Sequence, residues 1–416
     1  MVNRSRRPGT RPIPAIATGL LAIVGIAQLL LSVRVVLRLV RSANRPAAMA
    51  VPDTSPPPAS VTILVPVLNE ADRLGPCLAG LRAQGPEVGA ILVIDGGSTD
   101  DTVTLVRHEA DRDPRIRAID ASPVPADWNG KAWNLQRGFT SDTTGTPWVL
   151  TIDADVRPRP GLVRTLLARA EADELTVLSG ATRQRLSGAA EGLVHPALLT
   201  TLVYRYGIPG TTTTDPDEVQ ANGQCMLIRR DALDAIDGFS VGRHSLCEDV
   251  TVARHLAIAG HRVGFAETGD LVDVAMYGSA REAWTNWPRS LTMRDQFSGH
   301  AVPVRLAEVA LVQGVPLLLT GLAAFLRSRH RYPSPVRSGR DYANPGRDRA
   351  VELVVGLNRI LVLLRVGVLV GMARAYDRPP LTYWLSPLLD APVSLRLIQS
   401  ALRRTHVWRG RPITRD

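Results

Sequence analysis

The sequence predicts a mixed α/β domain built on a mainly parallel sheet and joined at both ends to apolar helices. Two observations carry this expectation. A unit of short β-rich run, polar break and helical pattern recurs along the middle of the chain, and long stretches almost free of charge lie before and after it. Apolar runs that alternate with helices give a sheet covered on both faces. Ligands of such sheets bind at the carboxyl ends of the strands, where the polar breaks fall.

In chain order, residues 1–42 read as a membrane anchor. No charged residue occurs from 12 to 33, and at about 1.5 Å per residue such a helix crosses a hydrocarbon core of roughly 30 Å. A cleaved signal is the alternative, because Arg4, Arg6, Arg7 and Arg11 form a basic start. The apolar run is, however, longer than a signal's core of about 7–15 residues, and no small-residue cleavage site follows. Residues 43–59, with Pro56, Pro57 and Pro58, read as a stiff linker. Residues 60–300 form the folded domain. Its first unit is the run 61–66, a break at Asn69-Glu70 and a helical pattern through Leu74, Leu78 and Leu81. The second is a strand over 90–94, a break from Asp95 to Thr99 and a helix from Asp100; the third is a strand over 148–152, a break at Asp153-Ala154-Asp155 and a helix from Pro160.

Residues 301–402 carry three weaker apolar stretches, 306–326, 350–373 and 379–395, of which at least two are expected in the membrane; 403–416 is a basic tail. The net charge of +10 is concentrated beside apolar segments, at Arg34, Arg38 and Arg41 and again at Arg327, Arg329, Arg331, Arg337, Arg340, Arg347 and Arg349. That placement suits anionic lipid headgroups and argues against nucleic acid as a partner. If 306–326 crosses the membrane, the second basic group faces away from the cytosol, so this segment is read as re-entrant or interfacial. Cys77, Cys225 and Cys247 are odd in number and have no paired spacing, so neither a disulfide framework nor a zinc site is indicated, which fits a reducing compartment.

Five clusters have residue types suited to chemistry. Asp153 and Asp155 close a buried strand, and carboxylates this close repel unless a cation or hydrogen-bond donors compensate; turns and caps also use Asp freely. Asp95-Gly96-Gly97-Ser98-Thr99-Asp100 lets the backbone turn tightly while Asp95 accepts hydrogen bonds from a base or ribose, or else is a plain turn capped by Ser98 or Thr99. Lys131, after Gly130 at a helix start, suits a phosphate, the alternative being a solvated surface lysine. Asp249, after Glu248, is either a general base whose charge and orientation Glu248 helps to set, or a helix N-cap. Trp284, Trp287 and Arg289 either form an interfacial belt or close the site over diphosphate and acceptor.

Taken in order, Val65-Pro66-Val67-Leu68-Asn69-Glu70, Asp95 to Asp100, Gly130-Lys131, Asp153-Ala154-Asp155 and Glu248-Asp249 resemble family 2 glycosyltransferases, and the resemblance spans about residues 60–295. It implies a GT-A fold, the Rossmann-like mixed sheet of nucleotide-diphospho-sugar transferases, with flanking transmembrane or interfacial helices. It also implies a metal-dependent enzyme that inverts the anomeric carbon, using a UDP-sugar donor and Mg or Mn. Glu70 and Asp95 would contact the nucleoside, Lys131 the diphosphate, Asp153 ribose or metal and Asp155 the metal, with Asp249 as base. The Trp-x-Gly-Lys segment and the apolar helices are similar to bacterial enzymes acting on carotenoid or hopanoid-type lipids. A lipid-like acceptor, a multi-pass place in the cell membrane and a cytosolic catalytic domain follow.

Three departures qualify this. Gly96 replaces the second Asp of the usual Asp-Asp-Gly-Ser, Asn134-Leu135-Gln136 stands where the family has Ala-Leu-Asn, and Asn286 to Ser290 replaces the Gln-x-x-Arg-Trp of processive synthases. The last implies transfer of one sugar. A non-catalytic nucleotide-sugar-binding partner and a nucleotidyltransferase on the same fold are the rival readings.

Overall fold

In a computed structural model the chain is described over residues 15–43, 49–54, 56–291, 301–330, 345–408 and 411–414. After helix α1 (Ala15–Ala43) come β1 (Val61–Val67), α2 (Ala71–Arg82), β2 (Val88–Asp95), α3 (Thr102–Ala110), β3 (Ile116–Asp120), α4 (Gly130–Ser141) and β4 (Trp148–Ile152). The short β5 (Val156–Pro158) then precedes α5 (Leu162–Ala172), followed by β6 (Val177–Ala181), β7 (Arg183–Gln184), α6 (Ala189–Tyr206), β8 (Thr211–Thr213) and β9 (Cys225–Arg229). The domain closes with α7 (Arg230–Ala235), α8 (Glu248–Ile258), β10 (Val263–Glu267), β11 (Val272–Val274) and α9 (Ala280–Leu291). Beyond it lie α10 (Ala301–Glu308), α11 (Pro316–His330), α12 (Pro345–Met372), α13 (Asp390–Leu402) and the hairpin β12 (Thr405–Trp408) and β13 (Arg411–Thr414).

The main sheet runs β3-β2-β1-β4-β9-β6-β10-β8, and β5, β11 and β7 form a second, small sheet. The pairs β3/β2, β2/β1, β1/β4 and β6/β10 are parallel, whereas β9 lies antiparallel between β4 and β6, and β8 antiparallel to β10. The parallel units of the sequence thus form one half of a mixed sheet. Side chains alternate along each strand with the period of two that a pleat imposes. Val61, Ile63, Val65 and Val67 of β1 join the layer made with α2, α3 and α5, while Leu64 faces the opposite layer, packed against α4, α7 and α8.

Three described helices are long and apolar enough to cross a membrane: 22–43, 301–325 and 349–375. The stretch 306–326, read from sequence as re-entrant or interfacial, is helical and continues through a π-helical turn at Val309–Gly314, with a length and composition that would also suffice to span. Gln28 ties these helices together: its Nε2 donates to the Leu311 carbonyl and to Asn358 Oδ1, both at 2.8 Å. The stretch 379–395 behaves differently. It becomes a run of 3₁₀ turns at Leu381–Leu389 and then the start of α13, and it packs on α6. Arg4, Arg6, Arg7, Arg11, Arg331, Arg337 and Arg340 lie outside the described residues.

Helix α6 joins the two parts. Val203 and Tyr204 pack with Val35 of α1 and with Leu361 and Leu369 of α12, while Ala197 and Leu198 pack with Trp287 and Leu291 of α9 and Leu397 of α13. The linker is not detached from the domain either. Met49 is buried in the sheet core and donates its N–H to the Glu267 carbonyl at 3.2 Å.

Candidate active site

The carboxyl ends of β1, β2 and β4 open into a cavity of 1610 Å³. Its polar side begins with Lys131, the second residue of α4. Asn129 caps that helix by accepting from the Lys131 N–H at 3.3 Å, and its own side chain donates to the Ser245 carbonyl at 2.6 Å. The same residue therefore sets the lysine's helix against the loop that leads to Glu248. Lys131 Nζ lies 2.8 Å from Asp153 Oδ1 and 2.9 Å from Glu248 Oε1. Burial pulls its pKa down, but Asp153, Glu248 and Asp249 outweigh that and hold the ammonium firmly charged. The expectation of a solvated surface lysine is excluded by this setting.

Asp249 does not cap α8, because Cys247 occupies that position and Asp249 is the second helical residue. Its Oδ2 accepts from the Gly223 N–H at 2.5 Å and its Oδ1 from the Val250 N–H at 2.8 Å. Burial first, and then the Glu248 charge, push its carboxyl up to about 7 against the opposing pull of Lys131. A base poised near neutral pH is what proton abstraction from a hydroxyl needs. Gly223 is held to glycine by its neighbours, since a Cβ there would stand 2.8 Å from Lys131 Nζ and 3.2 Å from Asp249 Cβ. Gly223→Ala is expected to push the lysine off its two carboxylates. Nucleoside diphosphate affinity, measured by titration calorimetry, should fall about tenfold with the thermal midpoint nearly unchanged, since a displaced ammonium loses about 1.4 kcal/mol of phosphate attraction; unchanged affinity would refute it.

Asp155 sits where β4 ends, and its Oδ1 is buried with no hydrogen-bond partner among the described residues. Burial, Asp153 and Glu70 together push its carboxyl up to about 7. The cavity wall carries eight carboxylates (Glu70, Asp153, Asp155, Glu248, Asp249, Glu267, Asp270, Glu282) against five cations (Arg73, Lys131, Arg183, Arg289, Arg374). Such a site lacks positive charge. Among the described residues no three His, Cys, Asp or Glu side chains converge as a protein-only metal site. One or two carboxylates are nevertheless what Mg²⁺ or Mn²⁺ commonly takes from a protein, with phosphates and water supplying the remaining ligands. Asp155, with Asp153, fits a hard divalent cation on both counts.

The remaining predicted residues divide. Glu70 lines the cavity, with its N–H bonded to Thr102 Oγ1 at 2.8 Å. Trp287 and Arg289 line it from α9, whereas Trp284 packs beside them without reaching it. Asp95 is turned into its own loop: its carboxylate accepts from Ser98 Oγ at 2.5 Å, from the Ser98 N–H and from the Gly97 N–H. Gly96, not Asp95, reaches the cavity wall. Trp128 and Trp133 stack edge to face at 5.3 Å, and Trp133 donates to the Ala121 carbonyl; they brace the lysine loop from behind.

Sequence reading missed two parts of the wall. Asn134 bridges the ends of β1 and β2 by donating to the Val67 and Ile94 carbonyls at 3.1 Å, and it faces the cavity. Its departure from the family's Ala-Leu-Asn was the available signal. The other part is apolar: Leu199, Leu202, Val203 and Tyr206 of α6 with Gly371 and Met372 of α12. No local pattern joins those two segments.

The mixed sheet with its flanking helices has the GT-A architecture. Residues 62–237 match the family model described as Glycosyl transferase family 2. Among curated relatives, the lipopolysaccharide core biosynthesis glycosyltransferase LpsC of Rhizobium meliloti is 35% identical over 123 residues, covering 29% of this chain and 41% of that protein. The succinoglycan biosynthesis protein ExoO of the same organism is 30% identical over 131 residues, covering 31% and 33%. The uncharacterized glycosyltransferase YibD of Escherichia coli is 25% identical over 117 residues, covering 28% and 32%. The chain thus spans less than half the length of each of these relatives. Among solved structures, the mannosyltransferase PcManGT of Pyrobaculum calidifontis, in complex with GDP-Man and Mn²⁺, covers 92% of this chain and 98% of its own at a TM-score of 0.55 and 20% identity. That likeness is one of fold.

Proposed function

We propose that this protein is a membrane-bound inverting glycosyltransferase that moves one sugar from a nucleotide-sugar, a UDP-sugar in this reading, to a lipid-like acceptor of the carotenoid or hopanoid type. The observation that carries the proposal is the cavity itself. Its polar half holds Lys131, Asp153, Asp155 and Asp249, and its apolar half ends on Gly371 and Met372, the last turn of a helix long enough to cross a membrane. A donor with a charged diphosphate and an acceptor with an apolar body can therefore meet in one space. The family match and the fold likeness to an enzyme solved with GDP-Man and Mn²⁺ support the same reading.

In the proposed reaction the acceptor hydroxyl oxygen attacks the anomeric carbon, the bond from that carbon to the diphosphate oxygen breaks, and the hydroxyl proton passes to Asp249. Lys131 holds the diphosphate and balances the charge that grows on it as it leaves. Asp155 and Asp153 would hold a divalent ion, which when bound would supply further charge neutralisation there. Glu70 orients the nucleoside, joined by Asp95 through the loop it holds. Trp287 and Arg289, backed by Trp284, close the acceptor side. Residues 60–300 carry the chemistry, the flanking helices hold the domain at the cytosolic face of the cell membrane, and nucleic acid has no part.

The direct test is purified full-length protein, radiolabelled UDP-sugars and a lipid extract, with lipid profiling of a deletion strain to name the product. Labelled lipid is expected; nucleotide-sugar binding without any transfer would instead support a non-catalytic partner. The pH profile offers a sharper check. The Asp249 carboxyl must be ionised to accept a proton, so kcat/KM should fall as pH drops through about 7. Glu248→Gln removes a negative neighbour, which eases ionisation of Asp249, so the acid limb should move to lower pH. A limb that stays put or moves upward would remove Asp249 from the role.

A further inference from the structure

Where α1 meets the domain, three arginines gather around one glutamate. Glu308, wholly buried at the end of α10, accepts from Arg34 Nε at 3.0 Å and from Arg38 Nη1 and Nη2 at 3.2 and 3.3 Å. Arg305 Nη1 stands 3.7 Å from the same carboxylate and donates to the Arg205 carbonyl at 2.6 Å, while Arg38 Nη1 donates to the Tyr204 carbonyl at 2.6 Å. The Arg205 guanidinium, fully buried, is bonded to the Thr201 carbonyl and hydroxyl. Even with Arg305 set aside, two guanidinium groups, those of Arg34 and Arg38, share the one Glu308 carboxylate as counter-charge.

This excess of positive charge sits at a lipid-facing level of the molecule. Arg34 and Arg38 belong to the apolar helix 22–43 and Glu308 to 301–325, both of spanning length. Around Arg34, the α1 residues Leu30, Val33, Leu37 and Val40 are 62%, 48%, 50% and 63% exposed, and the Arg34 side chain itself is 55% exposed. Guanidinium groups beside hydrocarbon are costly unless an anion meets them, and the anion supplied in quantity at a membrane surface is the lipid phosphate. We propose that Arg34 and Arg38, spaced by Glu308, form a binding site for the phosphate of an anionic phospholipid of the surrounding bilayer. The guanidinium groups of Arg205 and Arg305 both stand 5.8 Å from the Tyr206 ring, which lines the cavity. A bound headgroup therefore braces the helix that forms the cavity's apolar wall, whatever reaction the cavity performs.

The test uses full-length protein in phosphatidylcholine vesicles with and without phosphatidylglycerol, and in detergent with and without inorganic phosphate, following the thermal midpoint. Phosphatidylglycerol is expected to raise the wild-type midpoint by about 2–5 °C, the shift that binding to the folded state produces, and phosphate in detergent to leave it unmoved. Arg34→Gln should abolish most of that shift. Glu308→Gln should enlarge it, because the arginines lose their internal counter-charge; a contact that is only structural predicts no such increase. If Glu308→Gln does not fold in either bilayer, Arg34→Gln, at a half-exposed side chain, decides alone. Equal wild-type midpoints in the two lipids, a shift that survives Arg34→Gln, or the same shift from free phosphate would each overturn the proposal.

Discussion

Asp249→Asn is expected to slow turnover about 10²–10⁴-fold with nucleotide affinity nearly unchanged, the effect of removing a general base. The substitution keeps the size of the side chain and one oxygen for the N–H groups of Gly223 and Val250, which the carboxylate now accepts at 2.5 and 2.8 Å. It removes the ability to take a proton. Because Asp249 lies inside α8 rather than at its cap, the rate change cannot be ascribed to a lost cap. The amide does place an NH₂ where one oxygen stood, so the thermal midpoint is measured alongside. Turnover close to wild type in a protein of unchanged midpoint would take the base role from Asp249 and return the chain to a nucleotide-sugar binder.

Asp155→Ala is expected to abolish transfer at saturating donor, and a chelator to do the same to the wild type, reversibly on adding Mg²⁺ or Mn²⁺. Carboxylates outnumber cations on the cavity wall, so a donor diphosphate adds negative charge to a site already short of positive charge. A second readout separates function from folding. The Asp155 Oδ1 atom is buried without a hydrogen-bond partner among the described residues, and an unsatisfied buried carboxylate costs stability. The metal-free variant should therefore unfold at the same temperature as the metal-free wild type or above it, while losing the midpoint rise that added Mn²⁺ gives the wild type. Transfer that persists undiminished in chelator would refute the metal assignment.

How far the site was legible follows from the range of the interactions involved. Asp153 and Asp155, Gly130 and Lys131, and Glu248 and Asp249 are neighbours in sequence at strand ends or helix starts, so position within a local unit was enough to single them out. Lys131 was read as a phosphate ligand, but its grip on Glu248 was not foreseen, because that contact joins the starts of α4 and α8. Asp95 was expected at the nucleoside; the structure spends its carboxylate on Ser98 and Gly97 and brings Gly96 to the wall instead. A Gly-rich turn satisfied by its own aspartate and one that presents it to a ligand have the same local pattern, so the residue types could not separate them.

By itself the sequence determined the short β-rich runs, the helices that follow them, the apolar segments and the order of the acidic and basic motifs. These depend on contacts within a few residues, which the chain's own sterics and polarity decide. Only the tertiary structure decided that β9 runs antiparallel between β4 and β6, and that α6 and the end of α12 form one apolar wall. Each of these joins distant segments. Closing such loops costs chain entropy that no local signal repays, so the outcome rests on the apolar surface buried when the whole chain packs.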